Sequence, residues 1–136
     1  MMKSKAMQKY RENALHAANL YQHAMVREDY TAAVIAAAQC VENNMKVFLA
    51  SRRALNHQFR ESHNATKLFA ACAKLIPIRA NVHPLDLSDA TAAYYLSRSP
   101  RKMESAEYSW EAAHTAGWVA MQIAMSLKLE GISLVF

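Results

Sequence analysis

The stretch Tyr30-Thr-Ala-Ala-Val-Ile-Ala-Ala-Ala-Gln39-Cys-Val-Glu42-Asn-Asn-Met-Lys46-Val-Phe-Leu49 decides the reading of this chain. At about 100° per residue, Tyr30, Val34, Ala37, Val41 and Phe48 fall on one side of a helix. Gln39 and Lys46 lie nearly opposite, with Glu42 close by. A helix with an apolar stripe and a separate polar demand is expected to be sandwiched inside a bundle. Glu42 and Lys46 are spaced i, i+4 with the acid first, the favourable order for a pair on one helix. They are read as a structural polar pair holding this helix to its neighbours, with a polar cavity for a nucleotide as the other reading.

The composition supports helices throughout. The chain has 136 residues, of which 53% are hydrophobic, which suits one ordered domain spanning residues 1–136. Only two glycines and three prolines are present, and a sheet protein with many tight turns would need more. Cys40 and Cys72 lie in apolar helical patterns, without the close spacing of a zinc site or disulfide framework. Buried free thiols in a reducing cytoplasm are expected. The N-terminus is basic but lacks the apolar core of a signal peptide, and no run of about 18 apolar residues would span a membrane.

Outward from Tyr30, a first helix is expected from about Ser4 to Val26. Its stripe is Met7, Tyr10, Ala14, Ala17, Tyr21 and Ala24 or Met25. Asp29 caps the second helix, which runs to about Arg53. Ala54 to Ser62 reads as a polar connection. Ser62 or Asn64 caps a third helix that ends near Ile76, with Leu68, Cys72, Leu75 and Ile76 facing the core. Pro77 and Pro84 bracket a loop holding Arg79 and His83. A fourth helix begins at Asp86 or Ser88 and ends at Leu96, with Ala90, Ala93 and Tyr94 inward, and Pro100 closes that region.

A long helix from about Met103 to Leu129 follows, with a stripe of Tyr108, Ala112, Thr115 or Ala116, Val119, Ile123 and Leu127. Gly117 inside it costs about 1 kcal/mol against alanine, so a close neighbour is expected there. Trp110, Trp118, Met121 and Met125 call for a second packing face, such as a subunit interface. Gly131 stops the helix, and the tail Ile-Ser-Leu-Val-Phe should dock. The fold class is therefore all-α: an up-and-down bundle of four main helices plus one short helix.

Charge is segregated within the net +5. Lys46, Arg52, Arg53, Arg60, Lys67, Lys74 and Arg79 stand against Glu61 alone, whereas Glu104, Glu107 and Glu111 reverse the sign later. A basic middle suits nucleic acid or nucleotide phosphate. A solvated surface, or a complement to a second subunit's acidic helix, is the plainer reading.

The ordered landmarks resemble a HEPN domain, the helical domain named for higher eukaryotes and prokaryotes nucleotide binding, over about Ala14 to Lys128. Members carry a Tyr, then alanines, then Gln-x-x-Glu-x-x-x-Lys; here Tyr30, Ala33, Ala36 and Gln39 to Lys46. A segment starting with His follows, here His63-Asn-Ala-Thr-Lys67-Leu68. Next comes a helix ending in Tyr and then Arg-Tyr-Pro, here Tyr94-Tyr95-Leu96-Ser97-Arg98-Ser99-Pro100, with Ser99 in place of the tyrosine. The resemblance implies a homodimer that works beside a small nucleotidyltransferase in a toxin–antitoxin pair, or that binds nucleotides or RNA. No cofactor or metal is implied.

Other members are metal-independent ribonucleases with Arg, four to six residues, then His near the start of the final long helix. No such pair lies between Arg98 and His114, so the reading leans away from an enzyme. One Arg-x4-His does occur elsewhere, Arg52 to His57, and forms the weak candidate for catalysis. Histidine can move protons near neutral pH, and arginine can hold a phosphate. The candidate nucleotide- or RNA-binding residues are Arg53, Arg60, His63, Lys67, Tyr95 and Arg98, since basic groups beside aromatic faces suit nucleotides. His63 reads equally as a cap or packing residue. His16 and His23 share a face of the first helix, but two ligands do not make a metal site.

Overall fold

In a computed structural model, residues 5–77 and 82–128 are described. Arg79, Gly131 and the apolar tail lie outside the described residues. Among the described residues seven helices follow one another: α1 (Lys5–Val26), α2 (Tyr30–Ser51), α3 (His57–Glu61), α4 (Ala65–Ala73), α5 (Pro84–Ser97), α6 (Pro100–Ser105) and α7 (Trp110–Lys128). Among the described residues there is no strand. The fold is an all-α bundle, with α1, α2, α5 and α7 as its long members.

Helix α2 is the axis of the bundle. It packs against α1, α7, α5 and α4, and 14 of its 22 residues are buried. That explains its two-sided sequence: a helix covered on most sides cannot keep a wide polar face. Its two halves pack differently. The N-terminal half presents Ala33, Ala36, Ala37 and Ala38, all buried, in a cluster with Tyr21, Ala24, Ala93 and Ala113. Small side chains let neighbouring helices approach closely. The C-terminal half presents Val41, Met45, Val47, Phe48 and Leu49 in a cluster with Leu68, Ile123 and Leu127. Each fully buried chain of this size stabilises the fold by about 1.5–3 kcal/mol.

The stripe expected on α1 is the one buried, through Tyr10, Ala14, Ala17, Tyr21 and Ala24. The α1–α2 connection is tight. Glu28 takes a left-handed φ of 60°, the Glu28 N–H donates to the Met25 carbonyl, and the Asp29 N–H donates to the Ala24 carbonyl at 2.9 Å. This is a Schellman end without its usual glycine. Asp29 then caps α2, accepting from the Ala32 N–H. The end of α2 repeats the device: Arg53 has φ 57°, and the Ala54 N–H donates to the Leu49 carbonyl at 2.8 Å.

Four boundaries differ from expectation. The polar connection contains α3, five residues capped by Asn56, which accepts from the Phe59 N–H. It buries no residue, so no apolar period betrays it. Helix α4 stops at Ala73 rather than Ile76. Helix α5 starts earlier, at Pro84, because proline suits the first helical position. His83 caps it through Nδ1, and Asp86 returns a bond to the His83 N–H. Pro100 opens α6 instead of only ending α5. The long helix expected from Met103 is thereby split. Ala106 is extended, its carbonyl accepts from the Thr31 hydroxyl at 3.0 Å, and Ser109 accepts from the Ala112 N–H to start α7 afresh.

Gly117 has the close neighbour its position called for. The buried Tyr21 side chain crosses from α1, and its hydroxyl donates to the Ala113 carbonyl at 3.1 Å. A Cβ at Gly117 would collide with that hydroxyl and lie 2.5 Å from the ring carbon Cζ. The outer side of α7 carries Trp110, Trp118, Met121 and Met125, all exposed. No helix among the described residues is long and apolar enough to cross a membrane.

The Tyr21–Gly117 fit gives a test. Alanine is the better helix former by about 1 kcal/mol, yet Gly117→Ala should lower stability by about 1–3 kcal/mol through overpacking. Urea unfolding measures it, and a gain in stability would show that the ring is free to move aside.

Candidate functional site

Lys46 is among the largest fully buried side chains of the described residues, at 2% exposure. A buried ammonium must be paired and hydrogen-bonded. Nζ donates to the Glu42 carboxylate at 3.0 Å and to the Arg60 carbonyl at 2.8 Å. It also lies 5.3 Å from the centre of the Tyr10 ring, an attractive position for a cation. Burial raises the Tyr10 pKa above its ordinary value, so that phenol stays neutral beside the ammonium. Lys46 thus joins α1, α2 and α3 at one point.

Glu42 passes the connection on. Both of its carboxylate oxygens meet His63 Nδ1, at 3.0 and 3.1 Å. The His63 ring stacks on Tyr94 at 3.8 Å between centroids, with the planes 8° apart. The Tyr94 hydroxyl accepts from Arg98 Nε at 3.0 Å, and Tyr95 meets the Tyr94 ring edge-on at 5.2 Å. One chain of contacts therefore runs from Lys46 through Glu42, His63 and Tyr94 to Arg98 and Tyr95. The spacing of Asn64, cap of α4, fixes where His63 enters.

Lys46, Glu42, His63 and Tyr94 border a polar cleft of about 420 Å³ between α1, α2, α3 and α5. Lys9, His16, Arg60 and His63 face it, together with Lys46, Glu42 and Glu61. Its charged lining is three cations against two carboxylates, and Lys46 and Glu42 largely cancel each other. Asn13 and Asn43 form a further rung: Asn13 Nδ2 donates to Asn43 Oδ1 at 3.4 Å, and Asn43 Nδ2 donates to the Gln39 carbonyl at 2.7 Å. His63 Nδ1 donates to a carboxylate, so the neutral ring leaves Nε2 as an acceptor for an incoming group, with no hydrogen bond of its own among the described residues.

The sequence candidates divide into two groups. Arg60 and His63 line the cleft, and Tyr95 and Arg98 adjoin it through Tyr94. Arg52, Arg53 and His57 sit at the far end of α2 and the start of α3, exposed and outside the cleft lining. The Arg52 guanidinium lies 5.2 Å from the centre of the Phe48 ring. Lys67 borders a different, apolar groove with Leu49, Phe59 and Leu75. Tyr94 cannot offer both faces to a base, because His63 already covers one; Tyr95, at 58% exposure, is the open ring.

Sequence reasoning missed the contribution of α1. Lys9, Tyr10, Asn13 and His16 reach the cleft from one helical face. The signal was present as polar residues four and three apart beside the apolar stripe, at Lys9, Asn13 and His16. Among the described residues no group of three His, Cys, Asp or Glu side chains is placed to hold a metal ion. Cys40 and Cys72 are buried thiols, and burial pushes the pKa of both up to about 12, so neither supplies a thiolate. Comparison with protein-family models, curated proteins and solved structures finds no match to this chain.

The buried pair predicts an asymmetry between neighbours. Lys46→Met should cost about 3–5 kcal/mol by stranding Glu42. Arg60→Ala should cost under about 0.5 kcal/mol, because Lys46 uses only the Arg60 carbonyl. Chemical unfolding of the two variants compares them directly.

Proposed function

We propose that this chain is a HEPN-like helical bundle that binds a nucleotide or RNA in the α1–α2–α3–α5 cleft and is not itself a catalyst. The observation that carries the reading is the contact chain from buried Lys46 to Arg98. It holds His63 and Tyr94 rigidly at the edge of a cleft that also displays Lys9 and Arg60. Rigid placement lowers the ordering cost of binding. Arg60, Lys9 and Arg98 supply phosphate contacts, His63 Nε2 a hydrogen bond, and Tyr95 a stacking face. A small nucleotidyltransferase is the protein partner this reading implies, in a toxin–antitoxin pair within the cytoplasm.

The ribonuclease alternative rested on Arg52 and His57. Neither borders the cleft, and among the described residues no carboxylate is recorded against His57 to orient it. The binding reading is therefore preferred. The exposed row of Trp110, Trp118, Met121 and Met125 supports a homodimer formed through α7.

Fluorescence anisotropy with a short labelled RNA and with labelled ATP tests the binding. Salt-sensitive binding is expected at low ionic strength. Arg60→Ala should weaken it about five- to tenfold and reduce the salt slope by about 0.7. No binding of either probe at low salt would defeat the proposal. For the dimer, light scattering should give twice the chain mass, and Trp118→Glu should return it to one; an unchanged mass in the variant would remove α7 as the interface.

A further inference from the structure

A second concavity lies elsewhere, between α5 and α7, and shares no lining residue with the polar cleft. It exists because the facing positions are small. Ala90 on α5 and Ala112 and Ala116 on α7 cannot bridge the space between their helices, and Val34, Ala38 and Val119 form its floor. The volume is about 360 Å³, within the range of small-molecule pockets.

The rim is as one-sided as the floor. Its charged side chains among the described residues are Asp86, Asp89 and Glu111, with no cation. This is notable in a chain of net charge +5. Asp86 is partly occupied, since it accepts from the His83 N–H. Asp89, on the α5 wall, and Glu111, on the α7 wall, have no ion pair among the described residues. The phenol of Tyr108 adds an aromatic edge.

An apolar floor under carboxylates on opposite walls selects a ligand by both properties. The body must be apolar to displace water from Val34, Ala38 and Val119. The head must be cationic, since an anion would face like charge. We propose that the α5–α7 groove binds a small organic amine, its apolar body on the α2 floor and its ammonium between Asp89 and Glu111. A volume of about 360 Å³ matches a small molecule rather than a polypeptide segment. This does not depend on nucleotide or RNA binding at the cleft.

The test titrates the full chain with phenethylamine and follows backbone amide shifts by NMR. Saturable shifts at Ala38, Ala90 and Ala116 are expected. Phenethyl alcohol, the neutral counterpart, should bind at least tenfold more weakly, and 3-phenylpropionate should not bind. Asp89→Asn with Glu111→Gln should raise the amine Kd at least tenfold, at exposed positions where the fold is undisturbed. Ala116→Phe, which fills the groove, should abolish binding while the circular dichroism stays helical.

Equal affinity for the alcohol would overturn the proposal, leaving a merely apolar groove. Competition by magnesium chloride at the same amides would reduce it to an acidic patch. Tighter binding of a lysine-bearing amphipathic peptide would reassign the groove to a protein partner. Absence of any saturable amine shift would also defeat it.

Discussion

The need to satisfy one buried ammonium organises half of this molecule. Lys46 lies in the C-terminal half of the most buried helix among the described residues, where an unpaired charge would be untenable. Its partners come from three places in the chain: Glu42 one turn away, the Arg60 carbonyl of α3, and the Tyr10 ring of α1. Helix α3 buries nothing of its own, and a five-residue helix has little stability in isolation. The hydrogen bond from Lys46 and the half-buried Phe59 ring, packed on the core, tie it to the bundle. Glu42 in turn fixes His63, and His63 fixes Tyr94. The polar cleft is thus a by-product of charge neutralisation, shaped before any ligand arrives.

The two concavities follow from two kinds of imperfection in packing. On the α3 side, long polar chains meet one another and leave space lined by nitrogen and oxygen. On the α7 side, alanines meet alanines and leave space lined by carbon. The alanine-rich half of α2 packs closely on its neighbours, whereas between α5 and α7 the same kind of small residue leaves a groove unfilled. One compositional choice therefore yields both tight contact and open volume.

Much of the fold was legible because periodicity records burial. The stripes of α1 and α2, the Asp29 cap and the crowded Gly117 could all be read from spacing alone. What escaped were the elements without a buried face, α3 and α6, and the break at Ala106, which depends on a tertiary bond from Thr31. The site was only partly legible for a similar reason. Glu42 and Lys46 are one turn apart and visible as a pair. His63 and Tyr94 are separated from them in sequence and joined by stacking that no local pattern encodes. The Arg52–His57 spacing was visible but uninformative, since helix geometry places both outside the cleft.

The notch at Gly117 bears on how the chain is made. Tyr21 and its acceptor Ala113 are 92 positions apart. During synthesis, α1 and α2 can pair as a local hairpin well before α7 has emerged. Throughout that interval the Tyr21 ring has neither its notch nor its acceptor, and the alanine-rich end of the hairpin lies bare. The contact waits on residues about 90 positions later, so the alanine-rich end of the hairpin stays uncovered until the first half of α7 has been made.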